Sequence, residues 1–184
     1  MMALGITFYA CKKENSDLNL KTEKLVRQKC LEETKGGLST SSTSPYNIYL
    51  YDITNNGNGT YTWEWRVRHL TSGNGKPGTS TVQDLSNWGI TLGDCIKTQN
   101  IVSGSTSSNG STWKSFTPEF KIDKSQDCYN QSLVKFDVGT KNSDISYYRL
   151  TINKNVSHTQ VPVLYKSGKN TGCGTLKTCG FGCE

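Results

Sequence analysis

The stretch 46–70, YNIYLYDITNNGNGTYTWEWRVRHL, decides the fold. Its second half alternates strictly between apolar and polar side chains, and the apolar set is Tyr61, Trp63, Trp65 and Val67. A strand with this alternation buries one face and leaves the other in water. The segment 55–59, NNGNG, is a hairpin signal because Asn and Gly tolerate positive φ. The sequence therefore predicts two antiparallel strands, 46–53 and 60–70, joined by a tight turn.

The rest of the chain continues as short β-rich runs. Turns rich in Gly, Ser or Asn separate most of these runs from one another. Further strands are predicted at 85–92, 100–103, 113–122, 132–138, 145–153 and 161–166. This number and spacing of strands is typical of an antiparallel sandwich. We expect an all-β fold, an immunoglobulin-like β-sandwich of about seven or eight strands that is stabilised by disulfides.

Composition indicates one exported domain behind a tether. The chain has 184 residues, of which 20% are charged and 33% hydrophobic, with a net charge of +6. We divide it into a signal-like segment 1–10, a tether and linker 11–45 with a possible short helix at 22–35, and a β-sandwich domain 46–184. The positive charge is dispersed and no nucleic-acid-binding motif appears, so nucleic acid is not predicted as a partner.

The N-terminal residues are the clearest indication of where the protein is located in the cell. The uncharged run 1–10 ends in Ala10, directly before Cys11, and Lys12 begins the charged part of the chain. This junction resembles the lipobox of bacterial lipoproteins. The resemblance implies that Cys11 is acylated, becomes the mature N-terminus and anchors the protein in a lipid bilayer of the cell envelope, at the outer membrane or cell surface. The alternative is a buried N-terminal strand with a structural cysteine.

Six cysteines remain after Cys11: Cys30, Cys95, Cys128, Cys173, Cys179 and Cys183. An even number in an exported chain predicts disulfides. We expect all six to be paired, with Cys95–Cys128 as the first candidate bridge. The three cysteines of the C-terminal cluster cannot pair wholly among themselves, so one must reach outside, and Cys30 is its natural partner if Cys95 bonds Cys128. The spacing lacks the paired Cys-x-x-Cys of a zinc site, and no metal or cofactor is predicted.

Several short motifs also resemble a group of secreted bacterial β-sandwich domains. They are LSNWGI at 85–90, Asp94-Cys95, VKFD at 134–137, KSG at 166–168 and the segment 172–183. The likeness covers most of residues 60–183. It implies a fold and a location, and it implies no chemistry.

A catalytic site is not predicted. Glu64 lies on the polar face of its strand beside Arg66, where a surface ion pair is the simpler interpretation. His69 and His158 have no suggestive neighbours and are interpreted as surface or strand-end residues. No G-x-S-x-G elbow is present, although a triad assembled from distant residues is left open.

Aromatic residues are the better functional candidates. Trp113 follows a Gly/Ser/Thr/Asn-rich segment, 105–112, and is placed near a loop tip where recognition residues are common. Trp63 and Trp65 are further candidates for ligand binding, although their alternation with charged residues favours burial in the core.

Two classes of function compete on this evidence. The first is a membrane-anchored binding module whose exported sandwich recognises an extracellular glycan or protein. The second is a small exported hydrolase, which would require paired carboxylates or a histidine with an acidic partner in a concave pocket. A structural envelope component is a further alternative.

Overall fold

The computed structural model describes residues 30, 45–69, 82–123, 128–141, 145–169 and 171–183. Ten strands and one 3-10 helix, Thr98–Asn100, are found there. The strands are β1 Tyr46–Asn55, β2 Tyr61–His69, β3 Leu85–Ile90, β4 Ile101–Ser107, β5 Lys114–Phe116, β6 Phe120–Ile122, β7 Ser132–Phe136, β8 Ile145–Ile152, β9 His158–Ser167 and β10 Cys173–Phe181. Apart from Cys30, the predicted tether and its helix lie outside the described residues, and so does Cys11. Among the helical residues that are described, none belong to a helix long and apolar enough to cross a membrane.

The strands form two five-stranded sheets. The first sheet has the order β1-β2-β8-β4-β5 and the second has the order β10-β9-β3-β7-β6. Every pair of neighbouring strands is antiparallel. The predicted all-β, disulfide-stabilised fold is confirmed at this level, with two more strands than the upper limit expected.

The predicted hairpin is present as β1 and β2. Gly57 and Gly59 in its turn have φ of 77° and 80°, which side chains with a Cβ rarely adopt. Asn55 Oδ1 accepts a hydrogen bond from the backbone N–H of Gly57 at 2.9 Å. These positions explain why the NNGNG segment turns the chain here.

Two strand predictions are corrected. The run 113–122 is split, since β5 belongs to the first sheet and β6 to the second. Pro118 lies between them, and a proline cannot donate a ladder hydrogen bond, so the chain crosses from one sheet to the other at this point. The segment of β10 was not predicted as a strand, because Gly174 and Gly180 weaken the local preference for one.

The core is built from aromatic rings contributed by both sheets. Trp65 of β2 contacts Trp88 of β3 with ring centroids 6.4 Å apart, and Phe181 of β10 at 5.6 Å. Trp88 also stacks on Phe136 of β7 at 4.5 Å. Such pairs contribute about 0.5–1.5 kcal/mol each beyond the burial of their area. The two sheets are therefore held together largely by these rings.

A tyrosine of the first sheet completes this core. The Tyr148 hydroxyl donates to the carbonyl oxygen of Val138 at 2.9 Å. Burial raises the pKa of Tyr148 to about 12, because the phenolate would lose its hydration. The side chain is therefore neutral in the folded protein across the physiological range.

Two outward leucines of the second sheet are buried. Leu133 of β7 and Leu164 of β9 alternate with core residues and so point away from the first sheet, yet both are only 1% exposed. The disulfide Cys128–Cys173 ties the connection between β6 and β7 to β10.

The six cysteines form three disulfides, as expected in number: Cys30–Cys179, Cys95–Cys183 and Cys128–Cys173. A link from Cys30 to the C-terminal cluster is present, but all three cysteines of the cluster pair outside it, where the expected scheme needed only one to do so. The expected Cys95–Cys128 bridge is wrong. Cys95 follows β3 and lies beside the end of β10, because the sheet order places β3 and β10 on either side of β9.

Candidate ligand-binding face

The outward side chains of the first sheet form a surface that we call the outer face. Cross-strand register arranges them in rows across β1, β2, β8 and β4. One row is Asp52–Glu64–Arg149–Ser105, and the next is Tyr49–Arg66–Tyr147–Ser107. The face therefore combines ionic, aromatic and hydroxyl groups.

A bulge in β1 adds an aromatic residue to this face. The register shifts between Leu50 and Asp52, so Tyr51 is an extra residue in the strand. A bulge re-aims a side chain in this way. The Tyr51 ring lies under Arg66, with the guanidinium carbon 3.1 Å from the ring centroid.

Glu64 is the centre of an ionic network. Its Oε2 accepts hydrogen bonds from Nε of Arg149 at 2.9 Å and from the second guanidinium nitrogen, Nη2, at 2.7 Å. Its Oε1 accepts from Nε of Arg66 at 3.3 Å. The ion pair with Arg66 is confirmed. It is not a surface pair as predicted, since the side chain of Glu64 is only 10% exposed.

The loop between β4 and β5 is held rigidly over this face. Asn109 Oδ1 accepts hydrogen bonds from the backbone N–H groups of Ser111 at 3.0 Å and Thr112 at 2.9 Å. Gly110 has φ of 75°, and a Cβ added there would lie 3.1 Å from the ring of Tyr147. Glycine is required both by the turn and by this close approach.

Trp113 ends this loop and is partly exposed. The guanidinium carbon of Arg149 lies 3.6 Å from its ring centroid, and the ring of Tyr147 contacts it edge-on at 6.5 Å. A guanidinium over an indole ring is attracted by the ring quadrupole. The ring is thus fixed in orientation while part of it faces solvent.

Hydroxyl groups surround the network. Thr62 and Thr151 share a hydrogen bond between their hydroxyl oxygens at 3.1 Å. Along β4 the outward residues Ser103 and Ser105 are at least partly exposed, whereas Ser107 is buried and its hydroxyl bonds to the loop at Asn109 and Gly110. Small hydroxyl side chains leave room for a ligand and offer it both donors and acceptors.

The three tryptophans predicted as ligand-binding residues separate into two groups. Trp113 lies at the end of a loop on the outer face, where the sequence placed it. Trp63 and Trp65 are 1% and 0% exposed, and both belong to the core. Neither can present its ring to a ligand, so the core interpretation of these two residues holds. Tyr51, Tyr147 and Arg149 could not be singled out from local patterns, because their contacts depend on sheet register.

The histidines are also placed differently from expectation. His69 and His158 end and begin strands as predicted, but they are 2% and 6% exposed and do not lie on the surface. His69 Nε2 lies 3.0 Å from the carbonyl oxygen of Gln83. Of the residues placed in the structure, no group of three or more His, Cys, Asp or Glu is arranged to hold a metal ion.

A pocket of about 420 Å³ lies away from the outer face, beside the Cys95–Cys183 disulfide. Lys154 lines it and donates to the carbonyl oxygen of Cys95 at 2.8 Å. Among the described residues no carboxylate lines it, so these residues do not supply the paired acids of a hydrolase.

Comparison with known proteins does not identify a family for this chain. No family model and no curated protein matches the chain. Among solved structures, a GH20 exo-β-N-acetylglucosaminidase from Vibrio harveyi, in complex with N-acetylglucosamine, is similar at a TM-score of 0.39 and 11% identity over 73% of this chain. A family 123 glycoside hydrolase from Clostridium perfringens gives a TM-score of 0.26 and 13% identity over 65%. The chain spans only 18% and 20% of those proteins. Likenesses this distant carry no argument about function.

Proposed function

We propose that the domain is a non-catalytic binding module that recognises an extracellular glycan through the outer face of the first sheet. The observation that supports this most strongly is Trp113, a partly exposed indole held in one orientation by Arg149. An aromatic surface that is exposed and rigid is characteristic of a binding site. On β9 of the second sheet the exposed outward residues, Gln160 and Pro162, offer no aromatic ring of this kind.

A glycan suits this surface better than a protein does. A sugar ring has an apolar face that packs on an aromatic ring and a rim of hydroxyl groups that need hydrogen-bond partners. The outer face provides Trp113 for the first and the hydroxyls of β4 for the second. A protein ligand, the alternative, would be expected to need a larger apolar centre.

The hydrolase alternative is weaker. Asp52 and Glu64 are cross-strand neighbours on the outer face, so this face does hold two carboxylates side by side. However, both oxygens of Glu64 accept hydrogen bonds from arginines. A carboxylate held in this way is poorly suited to donate a proton or attack a sugar.

We also propose that the fold is immunoglobulin-like. In that fold one sheet has the strand order A-B-E-D and the other has G-F-C. The orders β1-β2-β8-β4 and β10-β9-β3 match these if β5, β6 and β7 are an insertion between strands D and E. Trp88 is buried on the strand that corresponds to C, as in antibody domains. The disulfide between strands B and F of those domains has no counterpart among the three bridges described here.

The test of the binding proposal is Trp113→Ala. A glycan array and native-host cell surfaces supply the ligand, and affinity is measured by calorimetry. The substitution is expected to weaken binding by about 30-fold, the loss for a binding hot spot of about 2 kcal/mol. Ile122→Ala, an exposed apolar truncation on the second sheet, should leave affinity unchanged.

Two results would contradict the proposal. In the first, Trp113→Ala unfolds the domain while the remaining folded fraction keeps its affinity, which would make Trp113 a core residue. In the second, the purified domain turns over polysaccharide or ester substrates, and the hydrolase alternative then takes its place.

We propose in addition that the domain is anchored to a bacterial membrane through acylated Cys11, on the strength of the Ala10–Cys11 junction. Intact mass of detergent-extracted protein from the native host is expected to show loss of residues 1–10 and a gain of acyl mass. Cys11→Ala should release the protein from membranes, since lipid chains supply the anchoring free energy. Wild-type protein that is membrane-free and retains residues 1–10 would refute the anchor.

A further inference from the structure

We infer that the glycan recognised by the outer face is acidic, and that the carboxylate of a uronic acid accepts hydrogen bonds from the guanidinium groups of Arg149 and Arg66. The inference rests on the proposed function, because it names the ligand class of the same surface. Three observations support it. They are the charge of the ionic network around Glu64, the arginine N–H groups that make no hydrogen bond within that network, and the position of these groups beside Trp113.

The first step is charge. Outward side chains of β1, β2 and β8 carry three arginines against two carboxylates, which leaves one excess positive charge. The arginines are Arg66, Arg68 and Arg149, and the carboxylates are Asp52 and Glu64. Within the network itself, Glu64 neutralises only one of its two arginine partners. An anion is therefore a better complement to the surface than a cation is.

The second step concerns hydrogen-bond donors. A guanidinium has five N–H groups. Arg149 gives Nε and Nη2 to Glu64, and Arg66 gives only Nε. Across the part of the chain that is described, neither side chain makes another hydrogen bond to protein. The side chains are 37% and 23% exposed, so the unused N–H groups can be reached from solvent.

The third step is preorganisation. The rings of Tyr51 and Trp113 lie against the flat faces of Arg66 and Arg149, and Glu64 holds both guanidinium groups from one side. Each guanidinium group is thereby held in one orientation, and its unused N–H groups remain available to a ligand. A planar fork with fixed N–H groups binds a carboxylate through two parallel hydrogen bonds.

The fourth step is distance. The guanidinium carbon of Arg149 lies 3.6 Å from the ring centroid of Trp113. The cationic donor and the apolar ring are therefore close enough for one acidic sugar, or two successive sugars, to use both. A uronate combines a pyranose ring with a carboxylate in a single unit.

The experiment compares matched ligands and matched variants. Polygalacturonate, alginate and hyaluronate are arrayed beside their methyl esters, which keep the sugar skeleton and remove the charge. At least one uronate is expected to bind wild-type domain about tenfold more tightly than its ester does, the scale of one charge-assisted hydrogen bond. Arg149→Gln should abolish this difference. Lys177→Gln removes one positive charge from an exposed residue of β10, on the other sheet, and should change affinity less than about twofold.

The ester comparison leaves the protein unaltered, so the test stands even if Arg149→Gln fails to fold. Equal binding of a uronate and its ester to the wild-type domain overturns the inference. So do equal losses in Arg149→Gln and Lys177→Gln, which would indicate general charge attraction. Binding of neutral glycans alone, lost in Trp113→Ala, overturns the inference and leaves the proposed function standing. If neither acidic nor neutral glycans bind, both fail.

Discussion

Trp65→Ala is expected to lower the free energy of unfolding by about 3–5 kcal/mol, the cost of truncating a fully buried aromatic side chain. The Trp65 ring contacts the rings of Trp63, Trp88 and Phe181. Its Nε1 also donates to the carbonyl oxygen of Cys179 at 2.8 Å, so truncation removes the partner of a buried carbonyl.

Urea unfolding monitored by circular dichroism measures this change. Trp113→Ala is the matched control, since the same truncation on the outer face should cost less than about 1.5 kcal/mol, the scale of a lost cation–π contact and partial burial. A Trp65→Ala domain as stable as the Trp113→Ala domain would show that the core is not organised around Trp65.

Removal of the Cys95–Cys183 disulfide is the other large effect. The bridge links residues 88 apart in sequence, and the chain-entropy model gives about 4–5 kcal/mol for a loop of this length. The double variant Cys95→Ala, Cys183→Ala is expected to lower the free energy of unfolding by about 2–5 kcal/mol. The dependence of that free energy on urea should steepen, because the uncrosslinked unfolded chain exposes more surface.

Asp94→Ala is the control for this variant, since Asp94 is exposed in the same connection and makes no bridge. Its stability should match that of the wild-type protein to within about 0.5 kcal/mol. If the double variant were equally stable, the bridge would not constrain the unfolded chain, and a peptide map under non-reducing conditions would be expected to show a different pairing.

Local patterns predicted the parts of the fold that local chemistry determines. The alternation in β2 identified the buried face of Trp63 and Trp65, and the Asn and Gly of the turn identified the hairpin. The pair Glu64–Arg66 could also be recognised, because residues two apart in a strand share a face.

Long-range features could not be predicted in the same way. Glu64 and Arg149 are 85 residues apart, and they meet only because β2 pairs with β8 in one particular register. The same holds for Cys95 and Cys183, whose proximity depends on the order β10-β9-β3. The β10 strand was missed because pairing with β9, rather than a strong local preference, makes it a strand.

The central claim is that the outer face of the first sheet is the binding surface. The chain has four tryptophans, and each gives one indole N–H resonance in a proton–nitrogen NMR spectrum. On titration with a bound glycan, the account predicts that the Trp113 indole shifts together with the side-chain resonances of Arg66 and Arg149, while the indoles of the buried tryptophans stay in place. Shifts confined to the pocket of Lys154, with Trp113 unmoved, would contradict the claim.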